Sequence, residues 1–356
     1  MKKTKNFKYV IEIKFNSRKE WILLDNKEVP YFWSKIWKDI FNITEKSIII
    51  EANRSTKILD LDNIFTNYIS SLYLQIVKSI IYYYTRIKTF KKIIQIKIEL
   101  YNKKWEKEKE KILDTQSFNQ VLDESFNLEF KINDSSLKKI LFESKEWKEL
   151  LISISNLLIW TCNNLSKTET FEVLWKSFNS LYKLITNKNK DFEALKDLKV
   201  YASNKSLPNS INLVKNLTEN LREEKELIFR KMILNNYPTE KHTKALKDMI
   251  IRYNDFRLMK IFKNTKLCYR EKFLKEKWYY DEVLEHIEYN INNNTINNKE
   301  LIFFLTWIYM YFIRNKQFHW ENLNHNFRLT TNKFDIQYEF LNSILKAYIV
   351  DLINNQ

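Results

Sequence analysis

The chain has 356 residues, a net charge of +16, 44% hydrophobic and 15% aromatic residues, and no glycine. These proportions support a buried core and argue against wholesale disorder. The lack of glycine excludes a Walker loop or a dinucleotide fingerprint, since each needs glycine where backbone meets phosphate. Mean hydropathy is −0.47, and no apolar run reaches the roughly 18–20 residues that span a bilayer. The nearest approach, "LIFFLTWIYMYFI" at 301–313, reads as a buried helix, so the expectation is a cytoplasmic protein with no membrane partner.

The N-terminal stretch "MKKTKNFKYVIEIKFN" carries charges where a signal sequence needs an apolar core. Within it, "FKYVIEIKF" places Phe7, Tyr9, Ile11, Ile13 and Phe15 on one side and Lys8, Glu12 and Lys14 on the other. That period of two predicts a strand. "WILL" at 21–24, "SIII" at 47–50 and "IIQIKIEL" at 93–100 are further candidate strands, with a helix over residues 62–86 between them. "KKWEKEKEKILD" at 103–114 reads as a charged helix or connector. The expected organisation is an N-terminal α+β domain over 1–120, a connector over 121–144 and a helical domain over 145–356.

From about residue 134 the pattern is helical. "KEWKELLISISNLLIWTCNNL" at 145–165 reads as one helix. The next opens on "SKTE", with Ser166 as N-cap and Glu169 three residues on, the signature of a capping box. Phe171, Leu174, Trp175, Phe178, Tyr182 and Ile185 then recur at helical spacing. Further helical segments are expected at about 209–236, 240–264, 270–289, 299–319 and 334–354, the last burying Leu341, Ile344, Leu345, Tyr348 and Leu352. Asparagine must stand in for glycine at positive φ. The clusters "NKNKD" at 187–191 and "YNINNNTINNK" at 289–299 accordingly read as loops. The fold class is thus α+β, a mixed α/β domain followed by a mainly α-helical bundle.

Helix 299–319 carries Leu301, Phe304, Leu305, Ile308 and Phe312 on its apolar side and ends in "RNKQFHW". Asn315 and His319 are four apart, hence neighbours on one face. Arg314 lies five before His319, about 140° around an ideal helix. A histidine is the commonest general base near neutral pH, and an arginine fork suits the oxygens of a phosphorane. Together they can cleave RNA by taking the proton of a 2′-hydroxyl that then attacks phosphorus. Trp320, His325 and Lys316 are possible substrate contacts, and Trp320 could stack a base. No metal is expected, because no carboxylate pair or histidine cluster has ligand spacing, and no cofactor. Cys162 and Cys268 match neither a metal site nor a disulfide framework; His242 and His286 read as solvated helix positions. The basic charge points to a polyanion, for a soluble chain a nucleic acid. Lysine, asparagine and isoleucine all have AT-rich codons, so part of that basicity reflects genomic bias.

"RNKQFH" resembles the R-N-x3-H signature of HEPN-domain ribonucleases, especially the Apea-like group. "FEVLWKSFNSLY" at 171–182 resembles the first core helix of many such domains. The resemblance covers about residues 145–356. It implies a HEPN-type bundle and a metal-independent endoribonuclease with Arg314, Asn315 and His319 as active-site residues. It also implies a homodimer pairing two sites, a toxin or phage-defence role, and an antitoxin or regulatory partner. Asn179 could assist the site. The family usually has glycine after the histidine, where this chain has Trp320. Two other readings stay open: a non-catalytic HEPN scaffold that binds RNA, and a basic structural RNA-binding protein.

Overall fold

The structure, a computed structural model, describes residues 6–31, 38–143, 165–264, 268–318 and 333–356. The chain divides into two compact units, Met1–Asn164 with Gln356, and Leu165–Asn355. The helix expected at 145–165 lies, but for its last residue, outside the described residues.

The first unit is built on a six-stranded sheet of β1 (Phe7–Phe15), β2 (Ile22–Pro30), β3 (Lys38–Thr44), β4 (Ser47–Arg54), β5 (Ile93–Tyr101) and β6 (Lys107–Asp114). The order is β2-β3-β4-β1-β5-β6 and every pairing is antiparallel. Alternation in β1 does what period two requires: Tyr9, Ile11, Ile13 and Phe15 are all buried. Ile11 pairs with Ile50 on one side and Ile98 on the other, so the register stacks isoleucines across three strands. Helix α1 (Ser71–Ile87) covers this face, its Tyr83 ring stacked on Phe15 at 3.8 Å. Ser70 caps it, accepting a hydrogen bond from the Tyr73 amide. The start expected at 62 is only a single turn, Asn63–Thr66, separated from α1.

The charged stretch 103–114 is strand β6, not a helix or connector. Its K-E-K-E alternation is itself period two, and its backbone pairs with β5 at the sheet edge. There Lys107 reaches Glu99 at 2.9 Å and Lys57 reaches Glu108 at 2.5 Å. A charged edge strand resists pairing with another chain. Strand β3 gave no sequence signal because Asp39 stands at a core position, where it takes two 2.7 Å hydrogen bonds from the Arg54 guanidinium and one from Gln75. Residues 121–143, including α2 (Asp134–Lys138), pack on the same unit: Phe126 lies edge-on to Tyr84, and Phe142 contacts Tyr82 and Phe41.

Lys78 on α1 is buried, with Pro30 O as an acceptor at 3.4 Å. Burial pulls its amine down to about 8, against a smaller opposing effect of the Asp39 charge. Between about pH 8 and the ordinary lysine value the folded state therefore binds fewer protons than the unfolded one. Stability then rises with pH across that window, and below it the folded state carries a buried charge. Lys78→Met is expected to stabilise the first unit at pH 7 by about 1–3 kcal/mol. In urea titrations its advantage over the natural chain should shrink between pH 8 and 10; a gap constant with pH would refute the buried-charge account.

The second unit is helical. Helix α3 (Lys167–Thr186) begins in the expected capping box: the Glu169 amide donates to Ser166 Oγ, and the Ser166 amide donates to the Glu169 carboxylate. It ends at Asn187, whose φ of 52° is the asparagine solution to a missing glycine. Asn26 and Asn294 also hold positive φ, and so do Lys88, Trp105, Glu226 and Trp278, which lack the local side-chain hydrogen bonding that eases asparagine into this region. Phe171, Leu174, Trp175, Phe178 and Tyr182 are buried as the spacing predicts, while Ile185 is only half-buried.

Helix α4 (Asp191–Ser203) begins inside the stretch read as a loop. The segment 209–236 is broken into α5 (Pro208–Val214), a single turn at Leu221–Glu224 and α6 (Phe229–Asn236). The segment 240–264 is broken by Asp255 into α7 (Thr243–Ile251) and α8 (Phe256–Phe262), because that side chain caps α8 through the Arg257 amide. Helices α9 (Cys268–Glu276), α10 (Tyr280–Asn292) and α11 (Asn298–Phe303) come next. A π-helical turn, Phe304–Tyr309, runs on into α12 (Met310–Phe318), and α13 (Lys333–Asn354) closes the unit. Helix α13 packs on α3 through Tyr348 against Phe178 and Tyr338 against Phe171. Its predicted face is buried, and so are Ala347, Ile349, Val350, Asp351 and Ile353. The stretch 301–313 is likewise buried except at Ile308 and Tyr311, which are half-buried.

Candidate functional site

The Asn297 side chain caps α11, accepting from the Glu300 amide. The aromatic-rich stretch after it is core: Phe304 contacts Phe229, Tyr253 and Phe262, and Tyr309 contacts Phe229. The π turn changes the helical phase before α12, so an ideal 3.6-residue projection from Leu301 misplaces the residues of α12. Phe312 and Ile313 are buried, whereas Tyr311, Arg314, Asn315 and Lys316 are half-buried.

Arg314 and Asn315 are brought together. Arg314 Nη1 donates to Asn315 Oδ1 at 2.9 Å. The asparagine expected to orient an imidazole therefore also holds the guanidinium. Lys316, one residue on, occupies another side of the helix. His319, Trp320 and His325 lie outside the described residues. His242 is exposed and bonded to Thr239 Oγ1 at 2.9 Å, while His286 is part-buried and bonded to Tyr253 O at 2.8 Å rather than solvated.

Helix α3 supplies the neighbouring surface. The Trp175 and Tyr311 rings lie 6.2 Å apart, which sets this face of α3 against the turn preceding Arg314. Trp175, Asn179 and Tyr182 fall at i, i+4 and i+7, on one face of α3. Asp191 opens α4, in the first turn where a negative charge is favoured, and pairs with Lys183 at 3.1 Å. Tyr182 is fully buried. Its phenol is pushed well above the ordinary tyrosine value, first by burial and then by the Asp191 carboxylate, while the Arg314 charge acts the other way. Tyr182 thus sits within the electrostatic reach of both an acid and the candidate phosphate clamp.

Helical spacing marks Tyr182 as packing, and the asparagine-rich cluster 187–191 marks Asp191 as loop. The available signal was the i, i+3 spacing of Asn179 and Tyr182 with an acidic residue opening the next helix, too common a pattern to single out. Among the described residues, no three His, Cys, Asp or Glu side chains gather as a metal site, and no helix is long and apolar enough to cross a membrane. Comparison with family models, with curated proteins and with solved structures finds no match for this chain.

Proposed function

We propose that the chain is an endoribonuclease of the HEPN type, cleaving RNA by attack of a ribose 2′-hydroxyl on the adjacent phosphorus. The observation that carries this reading is the Arg314–Asn315 hydrogen bond at the end of a core helix. A guanidinium held half-buried near a helix end by a bond to its neighbour suits the oxygens of a phosphate. The net charge of +16 favours a polyanionic substrate.

In this mechanism His319 takes the 2′-hydroxyl proton and the oxygen attacks phosphorus. Arg314 stabilises the charge of the phosphorane, and Asn315 keeps the guanidinium in register. The 5′-oxygen leaves with a proton from His325 or water, giving a 2′,3′-cyclic phosphate. A homodimer would bring a second arginine and histidine to the cleft, which answers the wide Arg314–His319 angle on one helix. Growth arrest in toxin or phage-defence systems, under an antitoxin or another regulator, is the corresponding biological role in the cytoplasm.

The test is product chemistry. End-labelled RNA incubated with purified protein should be cut equally with and without EDTA, leaving 2′,3′-cyclic phosphate and 5′-hydroxyl ends. Magnesium-dependent cleavage with 5′-phosphate ends would identify a different reaction.

A further inference from the structure

Buried side-chain polar atoms rarely lack a partner, because each such atom costs about 1–3 kcal/mol. Three fall together on one face of α3: Trp175 Nε1, Asn179 Oδ1 and the Tyr182 hydroxyl are all buried without a hydrogen bond. Packing alone does not require the hydroxyl, since phenylalanine would fill the place of Tyr182 against Phe178 equally well. Trp175, at one end of this row, lies against Tyr311, one turn before Arg314. Asp191 stands at the start of the next helix, tied to Lys183.

We propose that Tyr182, with Asp191, is a positioning residue for Arg314: the buried phenol on α3 and the carboxylate opening α4 fix where the guanidinium of α12 rests, so that it meets the phosphate in the productive orientation. This deepens the ribonuclease reading and rests on it. Burial keeps Tyr182 from the substrate itself, so it acts through Arg314. The electrostatics agree, because the phenol responds to Asp191 and to Arg314 with opposite signs. Misplacing a catalytic group by about 1 Å costs about 10²-fold in rate, so a slack clamp is costly even when the arginine is present.

The test compares Tyr182→Phe, Arg314→Lys and the double variant with the natural chain on labelled RNA. Thermal melts accompany the assays. Tyr182→Phe removes one oxygen and keeps the ring, so the melt should be unchanged. The expected result is a fall in kcat of about 10- to 100-fold with KM unmoved. The loss should largely vanish in the Arg314→Lys background, where the fork it positions is already gone. Asp191→Asn should reproduce the kcat loss. Natural chain that cleaves while Tyr182→Phe cleaves equally fast overturns this inference and leaves the ribonuclease reading intact. So does a Tyr182→Phe loss that simply multiplies with that of Arg314→Lys, which would make Tyr182 independent of the clamp. If the natural chain cleaves no RNA, the ribonuclease reading fails and this inference falls with it.

Discussion

Arg314→Ala and His319→Ala are each expected to lower RNA cleavage by about 10²–10⁴-fold while leaving the fold intact. The two losses have different physical origins. His319→Ala removes the group that takes the 2′-hydroxyl proton, so the remaining activity depends on hydroxide and should rise with pH. Arg314→Ala removes positive charge from the phosphorane, a loss that pH does not repair. Arg314 lies half-buried at the end of α12, where its guanidinium bonds the side chain of its own neighbour Asn315. Melting curves of both variants, expected to match that of the natural chain, accompany the assays. Full cleavage by either folded variant would remove the site assignment. Loss of cleavage together with loss of the fold in Arg314→Ala would recast that arginine as a structural cation.

The sequence made the strongest local signals readable because they depend on few residues. Alternation in β1 and β5, the capping box at Ser166 and Glu169, and the face of α3 all rest on neighbours within two turns or one strand. The hidden features depended on long-range partners. β3 places Asp39 in the core because Arg54 arrives from the adjacent strand to meet it. β6 looks like a charged helix until Glu99 and Lys97 supply its cross-strand partners. The breaks in the segment 240–264 come from Asp255, whose capping role shows only once Arg257 and Asn297 converge on it. The same limit holds at the site. Arg314 and Asn315 are legible as adjacent letters, but the contact of Trp175 with Tyr311 that sets α3 beside α12 depends on packing no local pattern announces. Periodicity also misled where a π turn changed the helical phase ahead of α12.

The largest stability effect in the helical unit is expected from Asp255→Ala. Asp255 and Arg257 are both buried, at 0% and 1% exposure, too deep for water to replace either partner. The carboxylate accepts from Arg257 Nε at 2.9 Å and Nη2 at 2.7 Å, and from the Asn297 amide at 2.9 Å. Arg257 in turn donates to Val214 O at 2.7 Å and Asn298 Oδ1 at 2.8 Å. One ion pair therefore ties the end of α5, the start of α8 and the loop before α11. Alanine at 255 strands a guanidinium in the core, which costs about 3–5 kcal/mol, and removes the cap of α8, worth about 1 kcal/mol. Asp255→Asn keeps an oxygen for the cap and should lose less. The double variant Asp255→Ala with Arg257→Met removes the stranded charge and should recover most of the loss, since an apolar replacement of a buried pair is often neutral. Urea denaturation monitored by tryptophan fluorescence measures all three. A loss below about 1 kcal/mol for Asp255→Ala, the level of a cap alone, would mean that Arg257 finds another acceptor and that the pair does not hold these three segments together.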